Sequence, residues 1–273
     1  KETVSLATMG TYPDSLSYTP ASPGDATVTV EVVIEIDGQE KTFSKSITLN
    51  VRDSEKLIYV GIDASHFNEY VAGAYKDSMG NFANLAVEHD VRVVELKTSE
   101  ALIEATKNPK FKMLVLTPPT RRNGTNFLIG YKSYTVEEVA AVKAFAEAGN
   151  TIIVTGWGDF YESYTKYTDG TAHTLPADQQ MSAQQNQLLN AIGSTLRISD
   201  DEVKDDVTNG GQPQRLYLKN YNLLNPFNEG VKADEQVFSV YGGSTIYTID
   251  SGMMPSNVIP NTVSPMVFAF ETS

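Results

Sequence analysis

Polar residues that can exchange protons or bind a ligand follow one predicted buried strand, Lys56–Asp63. An imidazole beside a carboxylate can act as a general base, so His66 is a candidate base that Asp63 or Asp159 would orient. In a purely structural alternative, Asp63 caps the following helix and His66 bonds to loop backbone. The candidate ligand-binding residues at the end of this strand are Asp63, Ser65, His66 and Asn68.

Further candidates follow two later predicted strands. Arg121 follows Lys112–Thr117, and Trp157 and Asp159 follow Thr151–Thr155. The carboxyl ends of parallel strands lie at one edge of a sheet, where ligands bind. Acid, imidazole, guanidinium and indole groups would therefore surround one crevice. Because an aromatic ring with a polar tip suits recognition surfaces, the sequence predicts binding of a polar small molecule or a glycan.

Strands that alternate with helices would hold these residues in place, and this order predicts a mostly parallel sheet. Helical spacing of apolar residues covers Phe67–Val87, and Ser99 is the expected cap of a helix over Glu100–Lys107. A helix over Ser182–Ile192 would end at Gly193. The chain then becomes rich in short strands, which are predicted at Leu196–Ser199, Arg215–Leu218, Gln236–Val240, Thr245–Ile249 and Met266–Phe270.

The helix before the fourth strand has the clearest signals. Thr135 and Glu138 have the spacing of a capping box, and Gly149 lies where a left-handed C-cap belongs. The run Thr151–Thr155 is β-branched and does not alternate. Such a run is typical of a strand buried on both faces.

An antiparallel hairpin precedes the α/β part. Two alternating stretches flank Asp37-Gly38, which is a two-residue hairpin signal. Polar residues at 52–55 indicate a linker. We therefore expect two domains, a β segment at 1–53 and an α/β domain at 54–273. Two features, Lys41-Thr42-Phe43 and Ile47–Val51, resemble the last strands of bacterial immunoglobulin-like domains.

The larger segment, Lys56–Ile249, resembles the class I glutamine amidotransferase-like superfamily. The resemblance implies a flavodoxin-like three-layer sandwich with a mostly parallel sheet. It depends on four features, which are the turn Asp63-Ala64-Ser65-His66, the sequence Val115-Leu116-Thr117-Pro118-Pro119, the pattern over Phe145–Gly156, and the turn Asn225–Val231.

The chain departs from this superfamily at the catalytic position. Active members carry a cysteine on the turn after the strand that matches Thr151–Thr155, and Gly156 lies near that position here. The chain contains no cysteine. Without a thiol nucleophile the glutaminase reaction is excluded. The resemblance thus implies a fold and not that activity.

Other catalytic and metal-binding patterns are weak. Ser65 beside His66 lacks a G-x-S-x-G elbow, and neighbours on a tight turn are not expected to face each other. The three histidines lack the H-x-x-x-H spacing of zinc sites. An acidic run that includes Asp200, Asp201 and Asp205 offers oxygen ligands for Ca²⁺, but charge runs more often form solvated loops, and that is the favoured interpretation. No other cofactor is expected.

Composition limits the partners. The net charge is −13 over 273 residues, which argues against binding to nucleic acid or to anionic membranes. No stretch approaches the roughly 20 apolar residues of a membrane helix, so direct membrane insertion is not expected. We expect a fragment of a longer secreted or cell-surface protein, from a Gram-positive bacterium, whose other domains are its neighbours.

Three functions remain open from the sequence. The first is a non-catalytic domain that binds a polar small molecule or glycan. The second is a hydrolase that uses Asp63, His66 and Asp159 on a polar substrate. The third is a structural spacer within a multidomain surface protein.

Overall fold

The structure is a computed structural model, and it describes residues 20–68, 71, 79–119, 133–156, 178 and 180–271. The chain divides after Leu57 into two compact units. Each unit has its own secondary structure.

The first unit contains the predicted antiparallel hairpin, which is confirmed. Strand β1 (Gly24–Ile36) pairs with β2 (Gln39–Val51) in continuous register. Asp37 and Gly38 have φ values of 53° and 77°. Two positive φ values in succession give the turn whose twist matches that of paired strands, and aspartate followed by glycine tolerates this conformation.

The two faces of the hairpin differ in polarity. On one face Thr29 Oγ1 lies 2.7 Å from Ser46 Oγ, within a row of hydroxyl pairs. On the other face Val32 lies opposite Phe43, and the two side chains are 50% and 57% exposed. The hairpin was predicted to have one solvated face, and the polar face is solvated. Among the described residues, the apolar side chains of the other face are also exposed to solvent.

The second unit is a mixed α/β structure around a four-stranded parallel sheet. Its strands are β3 (Ile58–Asp63), β4 (Val91–Leu96), β5 (Phe111–Leu116) and β6 (Thr151–Val154). They lie in the order β4-β3-β5-β6. From β3 the chain adds β4 on one side and then β5 and β6 on the other, so the topological switch point lies between β3 and β5. Open α/β sheets bind ligands at such a point.

Four helices within the described residues accompany these strands. They are α1 (Gly80–Glu88), α2 (Ser99–Lys107), α3 (Val136–Glu147) and α4 (Met181–Ala191). The predicted capping box of α3 is confirmed, and Gly149 follows the helix with a φ of 82°. The expected cap of α2 is wrong by one residue, because Thr98 rather than Ser99 accepts the hydrogen bond from Ala101 N.

The predicted start of the first helix at Phe67 is also wrong. Phe67 has a φ of 53°, which is a left-handed conformation, and Asn68 forms a bridge with Pro119. Both features are incompatible with a helix at this point. Among the described residues the helix begins at Gly80.

The sheet contributes to two hydrophobic clusters. One joins Leu114 and Leu116 of β5 to Val142 and Phe145 of α3, and Leu188 of α4 belongs to it. The second joins three buried strand residues to side chains that include Phe82 of α1. These buried strand residues are Val60, Ile62 and Val115. Side chains alternate across a strand, so β5 supplies both clusters.

The prediction that β6 is buried on both faces is wrong. Ile153 remains 38% exposed and Thr151 is exposed. Within the described sheet β6 pairs only with β5 and forms an edge, so it receives less cover than β3 and β5.

As predicted, the last third of the chain contains short strands. They are β7 (Leu196–Ile198), β8 (Arg215–Leu218), β9 (Asn220–Tyr221), β10 (Phe238–Tyr241), β11 (Ile246–Ile249), β12 (Pro255–Ser256) and β13 (Val267–Phe268). Strand β11 lies between β12 and β7, while β8 pairs with β10 and β9 pairs with β13, and all of these pairs are antiparallel. A 3₁₀ turn spans Pro226–Asn228. None of the helices in the described part of the chain has the length and apolar character that crossing a membrane requires.

Candidate functional site

The carboxylate of Asp63 is the centre of a buried polar network at the end of β3. Its Oδ1 accepts hydrogen bonds from Ser65 N at 2.9 Å and Ser65 Oγ at 2.7 Å. Its Oδ2 accepts from Asn68 Nδ2 at 3.1 Å and Tyr134 Oη at 2.8 Å, and lies 3.0 Å from His66 Nδ1. Asp63 is 0% exposed, so these donors replace its hydration entirely.

His66 lies between two buried carboxylates. Nδ1 is 3.0 Å from Asp63 Oδ2, and Nε2 is 3.1 Å from Glu138 Oε2. A carboxylate oxygen only accepts hydrogen bonds, so each ring nitrogen must carry a hydrogen. The geometry therefore favours a positively charged imidazolium. The ring also packs on Tyr134, with centroids 4.1 Å apart.

Glu138 belongs both to this network and to the capping box of α3. Its Oε2 accepts from Thr135 N at 2.7 Å, while Thr135 Oγ1 accepts from Glu138 N at 3.2 Å. The same oxygen atom accepts the hydrogen bond from His66 Nε2. The first turn of α3 is thus held directly against the loop that follows β3.

Asn68 connects this loop to β5. Its Nδ2 donates to Asp63 Oδ2 and, at 2.8 Å, to the carbonyl oxygen of Thr117. Its Oδ1 accepts from His66 N at 3.0 Å. The Asn68–Pro119 bridge closes the same region. Hydrogen bonds of the protein's own side chains and backbone therefore cross the switch point between β3 and β5.

The charges stabilise one another despite burial. Burial alone lowers the pKa of His66, but its hydrogen bond to Asp63 and the negative charges of Asp63 and Glu138 outweigh this, so the pKa lies above 6.5. Burial alone raises the pKa of Asp63, but the hydrogen bonds and charge of His66 and the Ser65 hydrogen bonds bring it below 3.8. An ion pair is the favoured state near neutral pH.

Tyr134 acts as a neutral donor in the network. Burial, followed by the charge of Asp63, raises the pKa of its hydroxyl well above 10. The hydroxyl therefore keeps its hydrogen and donates to Asp63. Its backbone N–H donates to Gln184 Oε1 at 3.2 Å, which connects the start of α3 with α4.

Ser65 and His66 do face each other, so the expectation that neighbours on this turn would not is wrong. Ser65 Oγ lies 2.8 Å from His66 Nδ1. Nevertheless, the two residues do not form a hydrolytic triad with Asp63. In such a triad serine and aspartate contact opposite ring nitrogens, whereas here both contact Nδ1, and Nε2 belongs to Glu138.

A second set of buried polar contacts lies one strand further along the same edge. Gln185 of α4 is 0% exposed. Its Nε2 donates to the carbonyl oxygen of Leu116 at 2.8 Å and to that of Thr155 at 2.6 Å. The amide thus spans the ends of β5 and β6.

Gly156, which the amidotransferase resemblance predicts to lie near a nucleophile position, has little room for a side chain. A Cβ atom added to Gly156 would lie 2.7 Å from both Cδ1 and Cγ2 of Ile198. Even an alanine would require Ile198 to shift. Glycine at this turn is therefore explained by its close contact with β7.

The acidic run is held by backbone contacts. Asp201 Oδ1 accepts from Thr245 N at 2.8 Å, and Asp205 Oδ1 accepts from Val207 N and Thr208 N, each at 2.8 Å. Burial, and then the charge of Asp201, raises the pKa of Asp200. In the described ranges no three His, Cys, Asp or Glu side chains are grouped to hold a metal ion. The Ca²⁺ hypothesis for Asp200, Asp201 and Asp205 stays a prediction.

Four of the seven predicted ligand-binding residues meet in one network, namely Asp63, Ser65, His66 and Asn68. The other three, Arg121, Trp157 and Asp159, lie outside the described residues. Contrary to the structural alternative, the His66 ring contacts side-chain carboxylates rather than loop backbone.

Sequence reasoning missed Tyr134 and Gln185, and it recognised only the capping role of Glu138. Glu138 is 72 residues from its histidine partner, and Tyr134 is 71 residues from Asp63. The capping box was the one local signal near this part of the site, because it predicts where α3 begins and therefore where Tyr134 and Glu138 lie.

Comparison with known proteins does not identify the chain. No protein-family model, no curated protein and no solved structure matches it. The resemblances to an amidotransferase-like domain and to a bacterial immunoglobulin-like domain therefore stay predictions.

Proposed function

We propose that the chain is a non-catalytic ligand-binding domain of a bacterial cell-surface or secreted protein. Its ligand is a polar small molecule or a glycan, bound at the carboxyl edge of the parallel sheet. We further propose a three-layer sandwich of the flavodoxin and amidotransferase type. The two hydrophobic clusters to which the sheet contributes support this architecture.

The observation that carries the proposal is the engagement of both nitrogens of His66 by buried carboxylates. A general base needs a nitrogen that can take a proton from substrate, and an imidazolium held by Asp63 and Glu138 offers none. At 3% exposure His66 is also out of reach of a substrate in solution. We assign the network a scaffolding role, in which it holds the sheet edge rigid for a ligand.

A hydrolase is the second candidate. It is supported by the convergence of Asp63, Ser65 and His66 within hydrogen-bonding distance. Catalysis by His66 with Asp63 and Asp159 would require the ring to leave one of its carboxylates. The non-catalytic proposal needs no such rearrangement, and for that reason it is preferred.

The binding proposal is tested with the full chain on a glycan array, followed by titration of each hit. Trp157 is the only tryptophan of the chain, so its fluorescence reports on one place. We expect saturable quenching by at least one glycan. A Trp157→Phe variant is the control for the origin of the signal. Absence of binding across broad panels would instead favour the structural spacer.

The hydrolase is tested separately with chromogenic esters and glycosides. We expect no turnover above buffer. Turnover that disappears in His66→Ala but persists in His89→Ala would contradict the non-catalytic proposal, because His89 is an exposed histidine away from the network.

A further inference from the structure

An exposed cluster of aromatic and cationic side chains lies on the strand pair of β8 and β10. The antiparallel register sets Tyr241 opposite Arg215 and Ser239 opposite Tyr217. Leu216, between the two β8 residues, is 4% exposed, whereas Tyr217 and Tyr241 are 36% and 50% exposed. Because side chains alternate across a strand, Arg215, Tyr217 and Tyr241 share the outer face of this pair.

The backbone just before β8 shapes this cluster. Gly210 N donates to the carbonyl oxygen of Arg215 at 2.9 Å, so the chain at Gly210 runs beside β8. A Cβ atom added to Gly210 would overlap Arg215 Cδ and would lie 2.7 Å from Tyr217 Cε1 and Cζ. Glycine therefore lets the stem of Arg215 and the ring of Tyr217 pack against the backbone. The cluster is a packed feature of the surface and not a set of freely moving side chains.

The guanidinium of Arg215 has hydrogen-bond donors to offer a ligand. Its Cζ lies 5.6 Å from the centre of the Tyr241 ring. A guanidinium that packs on an aromatic ring keeps the N–H groups at its edges available. Within the described residues Arg215 forms no ion pair, although the net charge of the chain is −13. Its fork of donors matches a carboxylate, which accepts two parallel hydrogen bonds.

The size of the cluster favours a single sugar ring as the ligand. Two residues along a strand span about 7 Å, and neighbouring strands lie about 5 Å apart. These dimensions match one pyranose ring, whereas a stable protein partner would cover about 800 Å². Tyrosine rings suit a sugar, because they pack on its C–H groups while their hydroxyl groups form hydrogen bonds with its oxygens.

We infer that Arg215, Tyr217 and Tyr241 form a binding site for a sugar that carries a carboxylate, such as a uronic acid. Arg215 binds the carboxylate, and the two tyrosines contact the ring. This site goes beyond the proposed function, because it lies on the antiparallel pair β8–β10 and not at the carboxyl edge of the parallel sheet. Neither site requires the other.

The test compares two sugars that differ at one group. Methyl glucuronide carries a carboxylate where methyl glucoside carries a hydroxymethyl group. Each sugar is titrated into the full chain, and Kd is obtained from NMR chemical-shift changes. We expect Kd to be roughly tenfold lower for the glucuronide, as a hydrogen bond between charged groups implies. The difference should shrink at high salt, which screens an exposed charge pair.

Two substitutions at Arg215 assign the carboxylate to this side chain. Arg215→Gln removes the charge and should raise Kd for the glucuronide roughly tenfold, with little change for the glucoside. Arg215→Lys keeps the charge without the fork and should recover only part of the preference. Tyr241→Ala should weaken binding of both sugars, because both contact the ring. Arg215 is exposed, so its substitutions should leave Tm nearly unchanged.

Arg92→Gln is the matched control. Arg92 is also exposed and lies near a tyrosine ring, with its Cζ 5.9 Å from the centre of Tyr59. The substitution removes the same charge from a different strand, so Kd for both sugars should stay at the wild-type values. An equal loss of preference in Arg92→Gln and Arg215→Gln would assign the preference to net charge and overturn the site.

Other results would also overturn the inference, and they are separate from the test of the proposed function. Equal Kd for the two sugars in wild type would refute recognition of the carboxylate. An unchanged preference in Arg215→Gln would place the carboxylate elsewhere. Failure of both sugars to bind would refute this site, whether or not a glycan from the array quenches Trp157.

Discussion

Removing the imidazole of His66 tests the buried charge network most directly. The substitution His66→Ala leaves the carboxylates of Asp63 and Glu138, 0% and 1% exposed, without the cation between them. Breaking a buried ion pair by removing one partner costs about 3–5 kcal/mol. At about 2–4 °C per kcal/mol for a domain of this size, we expect Tm to fall by about 6–20 °C.

Urea unfolding of wild type, His66→Ala and His89→Ala provides the assay. His89 is exposed, so its substitution should change the free energy of unfolding by no more than about 0.5 kcal/mol. The deficit of His66→Ala should shrink toward pH 5, because an unpaired buried carboxyl takes up a proton more readily. If His66→Ala destabilises no more than His89→Ala at pH 7, the network does not stabilise the fold.

A double-mutant cycle that combines His66→Ala with Glu138→Gln isolates the contact between His66 and Glu138, which are 72 residues apart in the chain. Glutamine can still accept from Thr135 N, so the capping box survives while the charge is removed. We expect a coupling energy of about 0.5–3 kcal/mol between the two substitutions. Additive effects would show that His66 and Glu138 do not interact in solution.

Two further predictions concern pH and packing. Because the pKa of His66 is raised in the folded state, its contribution to stability is full below about pH 6.5 and is lost as pH rises through the folded pKa. Because the pKa of Asp63 is lowered, its contribution is full above about pH 3.8 and is lost as pH falls through the folded pKa. Urea midpoints from pH 7 to pH 9 should therefore decline more steeply in wild type than in His66→Ala, and parallel profiles over this range would contradict the assignment. Gly156→Ala should lower the free energy of unfolding by about 1–3 kcal/mol, because the added methyl group crowds Ile198. Gly80→Ala is the control and should not destabilise, because a Cβ added there meets nothing within 4 Å. Equal stability of the two variants in thermal unfolding would refute the packing argument.

Local signals in the sequence were sufficient for much of the α/β fold. The capping box at Thr135 and Glu138, the glycine at 149 and the strand at Thr151–Val154 are all formed where expected. Each signal depends on residues that are close in the chain, through backbone caps or side-chain periodicity. The hairpin around Asp37-Gly38 was predictable for the same reason.

Errors occurred where tertiary contacts override local preference. Helical spacing after Phe67 did not reveal that Asn68 turns back to bond Thr117 and bridge Pro119. The β-branched run at Thr151 did not reveal that β6 is an edge strand in the described sheet. In both cases the deciding partner lies on another part of the chain.

The sequence by itself determined which residues leave the strand ends, and it excluded thiol chemistry, since the chain contains no cysteine. Only the tertiary structure decided which groups those residues contact. A histidine beside an aspartate is equally compatible with a general base and with a buried ion pair. The second carboxylate, from Glu138, distinguishes them, because it occupies the nitrogen that a base would need. Spatial proximity across the fold, which local sequence does not encode, therefore supplies the contact on which the proposed scaffolding role depends.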